Sequence, residues 1–397
     1  MKTAPLLTLL AALAAPALAQ PETPHILLDR DLNPSHVRVV SISRDLITVR
    51  AQDSSVRKVP TAQVLALFLS PRVGARGPSG GTASSHWLSL ADGRRLRGQV
   101  QLPAEPAPGE LVFGSIALGP ISLKMDDISS LILRKGAAAP HSDSADSLLL
   151  ANGDTVEGFV ESFGERVTIS PTDPNAQPLS LPAENIAALS LANPPTRGSG
   201  AIVWTTDETL AYESISLAPS GACTLRLLTP TGETRDYQTD APSLNAIITD
   251  VSSVVALSDL TVLSATTTGN RKWSPSPITR TELGASINED IEISGPARVE
   301  WTLPQGATRL AGLAKLPESC RDWGDLTFTL RLGTSDGAPA FTARLNRANP
   351  EAEFNVRIPL GIETLTAEID PGPDGPIQDR VRLARTLLLA PAPSSDK

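Results

Sequence analysis

The chain has 397 residues, a formal net charge of −9, and only 4% aromatic and 19% charged residues. Its 35 prolines and 28 glycines argue against a mainly helical protein, because proline removes a backbone donor and clashes with the preceding helical turn. The acidic balance and the absence of a basic run argue against nucleic acid as a partner, since phosphate contacts need clustered Lys and Arg. The length predicts two or more domains, and the composition favours an all-β fold.

Residues 1–19 predict a secretory signal peptide. Lys2 provides the positive start, Pro5–Ala15 the apolar core, and Ala17-Leu18-Ala19 the small-residue cleavage site. The residue directly after that site is Gln20 and not a cysteine, and no later apolar run is long enough to span a membrane. We therefore expect a secreted or periplasmic protein of the cell envelope, with the signal peptide cleaved and no membrane span in the mature chain.

A repeated segment predicts duplicated β units. Leu88–Gly98 reads LSLADGRRLRG, and Leu148–Gly158 reads LLLANGDTVEG. Their Asp-Gly and Asn-Gly pairs, flanked by apolar runs, are typical of tight hairpins. Each copy continues into a further strand, a short polar turn and a closing apolar run. The sequence therefore predicts two β units, 86–134 and 146–192, each a small β-meander or partly open barrel.

Two degenerate copies flank this pair, at 20–70 and 200–250. The first keeps the closing pattern of the clear copies, the second matches them mainly by alternating apolar and polar residues, and neither keeps the Asx-Gly turn. Linkers rich in small and polar residues are predicted at 71–85 and 135–145. Because one such unit buries little surface alone, we expect the copies to pack together.

The pattern changes at residue 251. Alternating apolar and polar residues predict strands that include Arg298–Leu303, Leu326–Leu332, Thr364–Ile369 and Val381–Leu389. Polar turns of hairpin length separate them, which favours an antiparallel sandwich over 251–391, followed by a disordered tail, 392–397. The predicted fold is therefore all-β: tandem small β-meander or partly open barrel repeats, then a jelly-roll-like β-sandwich.

The last third also resembles a known family. The resemblance rests on Leu257-Ser258-Asp259-Leu260, on Ala297–Leu303 with the strand that leads to Gly312, and on the close from Leu365 to Leu389. These segments resemble the NPCBM family of carbohydrate-binding modules. The resemblance implies a jelly-roll-like sandwich and glycan binding.

The chain departs from that family at several positions. Ser294 ends a segment that lacks the family's Gly-x-Gly-x-His-Ser run, and Leu383 stands where the family has a Trp, beside Arg385. Asp379 matches the family. The implied fold is thus better supported than the implied binding, and retention of sugar binding stays open.

Two tryptophans are candidates for carbohydrate binding. Trp273 and Trp323 lie in loop-like stretches, whereas Trp301 alternates with core residues and is predicted to be buried. Sugars stack on exposed aromatic faces, so Trp273 and Trp323, with Asp379, form the candidate site. The alternative is that both indoles cap the sandwich core.

One loop is a candidate for calcium binding. Asp370, Asp374 and Asp379 place hard oxygens along a loop braced by Gly and Pro. The alternative is a rigid turn in which Asp379 bonds backbone amides. No other cofactor is predicted.

The sequence predicts no catalytic centre. The four histidines are interpreted as isolated surface residues, and Cys223 and Cys320 are expected to stay unpaired. Neighbouring carboxylates could hydrolyse a glycoside, but solvated strand edges are favoured. The carboxylate candidates are Asp126-Asp127, Glu289 with Asp290 and Glu292, and Glu351 with Glu353. Two hypotheses remain: binding of a polysaccharide, and an interaction protein that contacts envelope proteins.

Overall fold

The computed structural model describes residues 25–69, 86–140, 144–173, 175–196, 198–268, 278–280, 290–333, 337–372, 375 and 378–391. The predicted signal peptide, the 71–85 linker, the 392–397 tail, Trp273, Asp374, His141 and Glu289 lie outside these residues. The described elements are β-strands and three-residue 3-10 turns, which confirms the all-β fold class. No helix in the described ranges is long and apolar enough to cross a membrane.

Four successive groups of five strands, here called quintets, cover residues 25–248. The first has β1 (His25–Asp29), β2 (Pro34–Ile42), β3 (Leu46–Ala51), β4 (Val56–Pro60) and β5 (Val64–Phe68). The second has β6 (His86–Leu90), β7 (Arg95–Gln101), β8 (Glu110–Ser115), β9 (Gly119–Lys124) and β10 (Ile128–Ile132). The third has β11 (Asp146–Leu150), β12 (Thr155–Phe163), β13 (Arg166–Ser170), β14 (Leu179–Pro182) and β15 (Ile186–Ser190). The fourth has β16 (Ala201–Thr205), β17 (Thr209–Leu217), β18 (Ala222–Leu228), β19 (Thr234–Asp240) and β20 (Leu244–Ile248).

All four quintets share one topology. The fifth strand of each pairs with its first strand, so the spatial order is 5-1-2-3-4. A 3-10 turn precedes every fifth strand: Thr61–Gln63, Met125–Asp127, Ala183–Asn185 and Ala241–Ser243. The two degenerate copies therefore fold as the two clear copies do, although they lack the Asx-Gly turn.

The quintets join in a nested order. The first and fourth form a ten-stranded sheet I through β5 and β20, with Leu67 opposite Ile247. The second and third form a ten-stranded sheet II through β10 and β15, with Leu131 opposite Leu189. Sheet I also closes on itself where Leu217 pairs with Ile42. Both sheets contribute to one continuous apolar core, which explains how such short units are stabilised.

The repeated motif ends in a glycine for a steric reason. A Cβ at Gly98 would lie 1.9 Å from the carbonyl oxygen of Gly114 on the next strand. At the equivalent Gly158, a Cβ would lie 2.3 Å from the carbonyl oxygen of Ser170. Only glycine permits this close approach of two backbones at the bend of each quintet.

The last eleven described strands form the sandwich. Its strands are β21 (Val254–Ala256), β22 (Val262–Thr267), β23 (Ile278–Arg280), β24 (Ile291–Ser294), β25 (Ala297–Thr302), β26 (Arg309–Lys315), β27 (Leu326–Leu332), β28 (Pro339–Leu345), β29 (Glu351–Arg357), β30 (Thr364–Pro371) and β31 (Arg380–Leu389). Three 3-10 turns accompany them: Val251–Ser253, Leu257–Asp259 and Glu318–Cys320. Sheet III has the order β23-β24-β31-β26-β29, with β21 also on β31, and sheet IV has the order β22-β25-β30-β27-β28. Trp301 is 1% exposed in the core between them.

The sandwich docks on sheet I at the β5–β20 seam. Strand β5 reads VLALF and is buried along its whole length, as an apolar run covered on both faces should be. One face enters the core of the repeats, and the other packs with Trp204 against Ala311 and Leu387 of the sandwich. Phe68 and Trp204 meet edge to face there, with ring centroids 6.0 Å apart.

A buried carboxylate connects the fourth quintet to the second. Glu208 is 1% exposed, and its Oε1 accepts hydrogen bonds from the Ser115 hydroxyl at 2.7 Å and the Arg97 backbone N–H at 3.1 Å. Its Oε2 accepts from the Ala117 N–H at 2.8 Å. Burial raises the pKa of Glu208 to about 7, against the lowering effect of these donors. Beside it, Asp207 forms an ion pair with Arg97.

Two histidines have a structural role, so their interpretation as isolated surface residues is wrong. His25 and His86 are half-buried at the starts of β1 and β6, and each Nδ1 accepts from the N–H of a valine 14 residues later, at 3.1 Å. Asp146 does the same at the start of β11, accepting from Val160 at 2.8 Å. Burial lowers the pKa of His86. The first residue of these quintets thus braces the bend of the second strand.

Candidate functional site

The most exposed aromatic side chain of the described sandwich is Trp323, which is 71% accessible. It follows the Glu318–Cys320 turn, and its backbone N–H donates to the carbonyl of the buried Cys320 at 3.3 Å. Arg321 and Asp322 beside it are exposed as well. Because the loop leaves the sandwich at this point, the indole faces solvent instead of capping the core.

Gly324 brings this loop close to Gln378. Its N–H donates to the carbonyl of Cys320 at 2.7 Å, and a Cβ there would lie 2.8 Å from that same oxygen. The same Cβ would lie 3.4 Å from the carbonyl oxygen of Gln378. The Trp323 loop therefore lies beside Gln378, the residue before Asp379, and the carbohydrate site at these residues stays a prediction.

Asp379 lies beneath this surface. It is 3% exposed, and its backbone carbonyl accepts from the N–H of Gly295 at 2.6 Å. Asp370, by contrast, is exposed at the end of β30. Among the described residues, no group of three or more His, Cys, Asp or Glu is placed to hold a metal ion. Since Asp374 is outside those residues, the calcium site stays a prediction.

A charged pair borders the loop. Both carboxylate oxygens of Asp325 accept from the guanidinium of Arg344, from Nε at 2.8 Å and from the terminal nitrogen at 2.6 Å. The hydrogen bonds from Arg344 lower the pKa of Asp325. The Asp325 carbonyl also accepts from the Gly372 N–H at 2.7 Å. This fork-shaped pair holds polar atoms in a fixed geometry near Trp323.

The positions that depart from the family pattern have structural roles. Leu383 is 2% exposed in the sandwich core, and Ser294 ends β24 opposite Arg380. Arg385 lies over the ring of Phe68, with 5.9 Å to the ring centroid, at the junction with sheet I.

The carboxylate groups that could suggest hydrolysis are engaged elsewhere or face solvent. Glu292 pairs with Arg380 and Arg382 at 3.4 and 3.2 Å. Burial raises the pKa of Asp290, whereas Lys315, Arg382 and Arg385 act in the opposite direction. Asp126 and Asp127 are exposed in a 3-10 turn, Glu351 is exposed on β29, and Glu353 bonds His36 at 3.1 Å.

The two cysteines are free and buried, far apart in the sequence. Cys223 lies in the core of the repeats, where burial raises its pKa to about 11. A thiol of this kind is inert at neutral pH.

No protein-family model matches the sequence, and no curated protein matches it. Among solved structures, the chain is similar to CBM51 from Clostridium perfringens GH95 in complex with methyl-galactose, with 18% identity over 34% of this chain and 99% of that one, and a TM-score of 0.27. It is also similar to the tandem CBM51 modules of the family 98 glycoside hydrolase from Streptococcus pneumoniae, with 10% identity over 86% and 88% of the two chains and a TM-score of 0.27.

A third similar structure is a glycoside hydrolase family 43 arabinoxylan arabinofuranohydrolase from Bacillus subtilis in complex with cellotetraose. It shares 10% identity over 90% of this chain and 96% of that one, with a TM-score of 0.24. Carbohydrate-binding modules are thus among the structural neighbours. These scores are too low to bear on function.

Proposed function

We propose that the protein is a secreted, non-catalytic binding protein whose sandwich engages a polysaccharide at Trp323. The observation that carries the proposal is the exposure of this indole, 71%, on a loop that Gly324 fixes against its neighbour. Large apolar side chains normally avoid such exposure, and an indole combines a stacking face with an N–H donor. Both features suit a sugar ring, which has an apolar C–H face and hydroxyls at its edge.

The surroundings of Trp323 add polar groups for those hydroxyls. Arg321 and Asp322 flank the indole, and the Asp325–Arg344 pair offers fixed donors and acceptors next to it. Asp379 is buried, so its proposed role is to hold the 372–379 loop. The family resemblance of residues 251–391 supports the same function. Calcium at Asp370, Asp374 and Asp379 would then order the loop without touching the sugar.

The proposal is tested by retention on polysaccharides. The full chain is screened on a broad glycan array, and each hit is repeated by affinity electrophoresis with Trp323→Ala, Trp323→Phe and Leu360→Ala. Leu360 is 97% exposed in the same sandwich and serves as the matched control for loss of an exposed apolar group. We expect loss of retention in Trp323→Ala, partial retention in Trp323→Phe, and full retention in Leu360→Ala. Absence of any retained glycan refutes the proposal.

A second candidate is an interaction protein of the cell envelope. The observation that favours it is the open edge of each repeat sheet: β4 and β19 end sheet I, and β9 and β14 end sheet II. Edge strands present backbone donors and acceptors to another chain, and Phe159, 52% exposed on β12, adds an apolar contact. Crosslinking in the native envelope tests this function. A reproducible protein neighbour that Phe159→Asp abolishes supports it, whereas a monomer without neighbours contradicts it.

A further inference from the structure

A small cavity lies at the junction between sheet I and the sandwich. Leu32 and Phe68 line it from the first quintet, and Phe354, Glu353 and Arg385 line it from sheet III. Its volume is about 20 Å³, enough for one water-sized group. No residue of the described Trp323 loop contributes to it, so it is separate from the proposed glycan site.

A β-bulge directs Arg385 into this cavity. Along the pairing of β26 with β31, Ala311 faces Leu387 and Leu313 faces Ala384, so two residues of β31 lie opposite Gly312 alone. Arg385 is one of the two, and its φ of 53° is in the left-handed region that residues with a side chain seldom adopt. Bulges of this kind turn a side chain away from its regular direction. Here the result is a guanidinium at the wall of a cavity.

The guanidinium of Arg385 has a stacking partner but no acceptor. Its carbon lies 5.9 Å from the centroid of the Phe68 ring. Within the described part of the chain, its five N–H donors make no hydrogen bond or ion pair, and the residue is partly buried. The guanidinium lines the cavity without a protein acceptor, so its donors are open to water or to a ligand that enters it.

The carboxylates nearby have other partners. Three of them are close enough to favour the charged form of the guanidinium: Glu353, Asp290 and Glu351. Glu353, which lines the cavity, bonds His36 at 3.1 Å, and both side chains are about one third exposed. Asp290 accepts a hydrogen bond from the backbone N–H of Arg385 instead of from its side chain. The donors of Arg385 therefore remain available to a ligand.

We infer that this cavity binds the oxyanion group, a carboxylate or a sulfate, of a small molecule. Arg385 donates charge-assisted hydrogen bonds to the anion, and Phe68 and Phe354 form the apolar walls. One oxygen of the head group fits within the cavity, so the rest of the molecule extends past Glu353 into solvent. A ligand at this position would contact both the repeats and the sandwich and would strengthen their junction.

The inference is tested with sodium acetate and sodium sulfate as probes, at constant ionic strength set with chloride. Amide resonances of Phe68, Leu32 and Phe354 are followed by NMR in the full chain and in three variants. Arg385→Asn removes the charge with a side chain that tolerates a left-handed backbone, and Arg385→Lys keeps the charge without the planar fork. Arg380→Asn is the control, because Arg380 lies on the same strand, is 52% exposed and pairs with Glu292.

We expect one or both probes to shift these amides. Binding should weaken at least about tenfold in Arg385→Asn, weaken less in Arg385→Lys, and stay unchanged in Arg380→Asn. The probe that binds more tightly identifies the anion class. Absence of shifts at these amides in the wild-type chain overturns the inference, as does equal binding in Arg385→Asn. Because the readout is independent of glycan, this result and the failure of the Trp323 proposal are distinguishable.

Discussion

Replacing Glu208 with Gln should remove one component of the pH dependence of stability. The pKa of this carboxyl is raised by burial from 4.5 to about 7 in the folded chain. Between these values the folded chain keeps a proton that the unfolded chain has released. The free energy of unfolding therefore falls as the pH rises from about 4.5 to about 7. The contribution of the protonated Glu208 carboxyl to stability is present in full only below that range.

The size of this effect follows from the shift. One pKa unit corresponds to about 1.4 kcal/mol, so raising the pKa of Glu208 from 4.5 to about 7 corresponds to about 3 kcal/mol of stability lost across the range. A glutamine side chain does not titrate, so the Glu208→Gln variant should lack this component. Urea unfolding gives the free energy of unfolding of both proteins at about pH 5 and about pH 8. The change between the two pH values in the wild-type chain, minus the same change in Glu208→Gln, measures this component.

The control for this experiment is Glu157→Gln, which neutralises an exposed carboxylate on β12. It should leave the pH profile of the wild-type chain unchanged. Parallel profiles for wild type and Glu208→Gln would refute the reasoning, and so would a wild-type chain that gains stability over this range while Glu208→Gln does not. A side-chain carboxyl titration by NMR gives the pKa of Glu208 directly.

Two further substitutions test the packing of the repeats and of the junction. Gly98→Ala should destabilise the repeats, because its Cβ would lie 1.9 Å from the Gly114 carbonyl oxygen. The control is Gly93→Ala, which has open space around its Cβ and should strain only a turn. A melting temperature for Gly98→Ala that is no lower than for Gly93→Ala contradicts this prediction. Trp204→Ala should lower the free energy of unfolding by about 3–5 kcal/mol, as large core truncations do, and should expose the junction to limited proteolysis. An unchanged digestion pattern would show that the Trp204 contact does not hold the sandwich in place.

The elements that the sequence predicts well are those set by local pattern. The hairpin of Leu88–Gly98 is present, and its turn is closed by the Leu90 N–H donating to the Arg94 carbonyl at 2.8 Å. The predicted strand Arg298–Leu303 is observed at Ala297–Thr302, and Leu326–Leu332 is observed with the same bounds. Alternation fixes these strands because each has one face in the core.

The nested pairing of the quintets could not be predicted in the same way. All four closing strands are short and apolar, so each could pair with any of the others. The choice of β20 for β5 depends on contacts between residues about 180 positions apart in the sequence, such as Leu67 and Ile247.

In the candidate sites too, features set by local sequence could be predicted, and features set by packing between distant segments could not. Exposure of Trp323 agrees with its loop-like sequence, whereas the burial of Asp379 depends on how the loops pack against each other. The left-handed backbone of Arg385 had no signal in the sequence, because it arises from a bulge between two strands that are distant in the chain. The bracing role of His25 and His86 had a signal, the valine 14 residues after each histidine.

The indole N–H resonances of the tryptophans test the central claim most directly. The full chain is titrated with an oligosaccharide of any glycan that it retains. The account predicts that the Trp323 indole resonance shifts with saturation, while the resonance of Trp301, 1% exposed in the sandwich core, does not move. A retained glycan that leaves the Trp323 resonance unchanged would contradict the account.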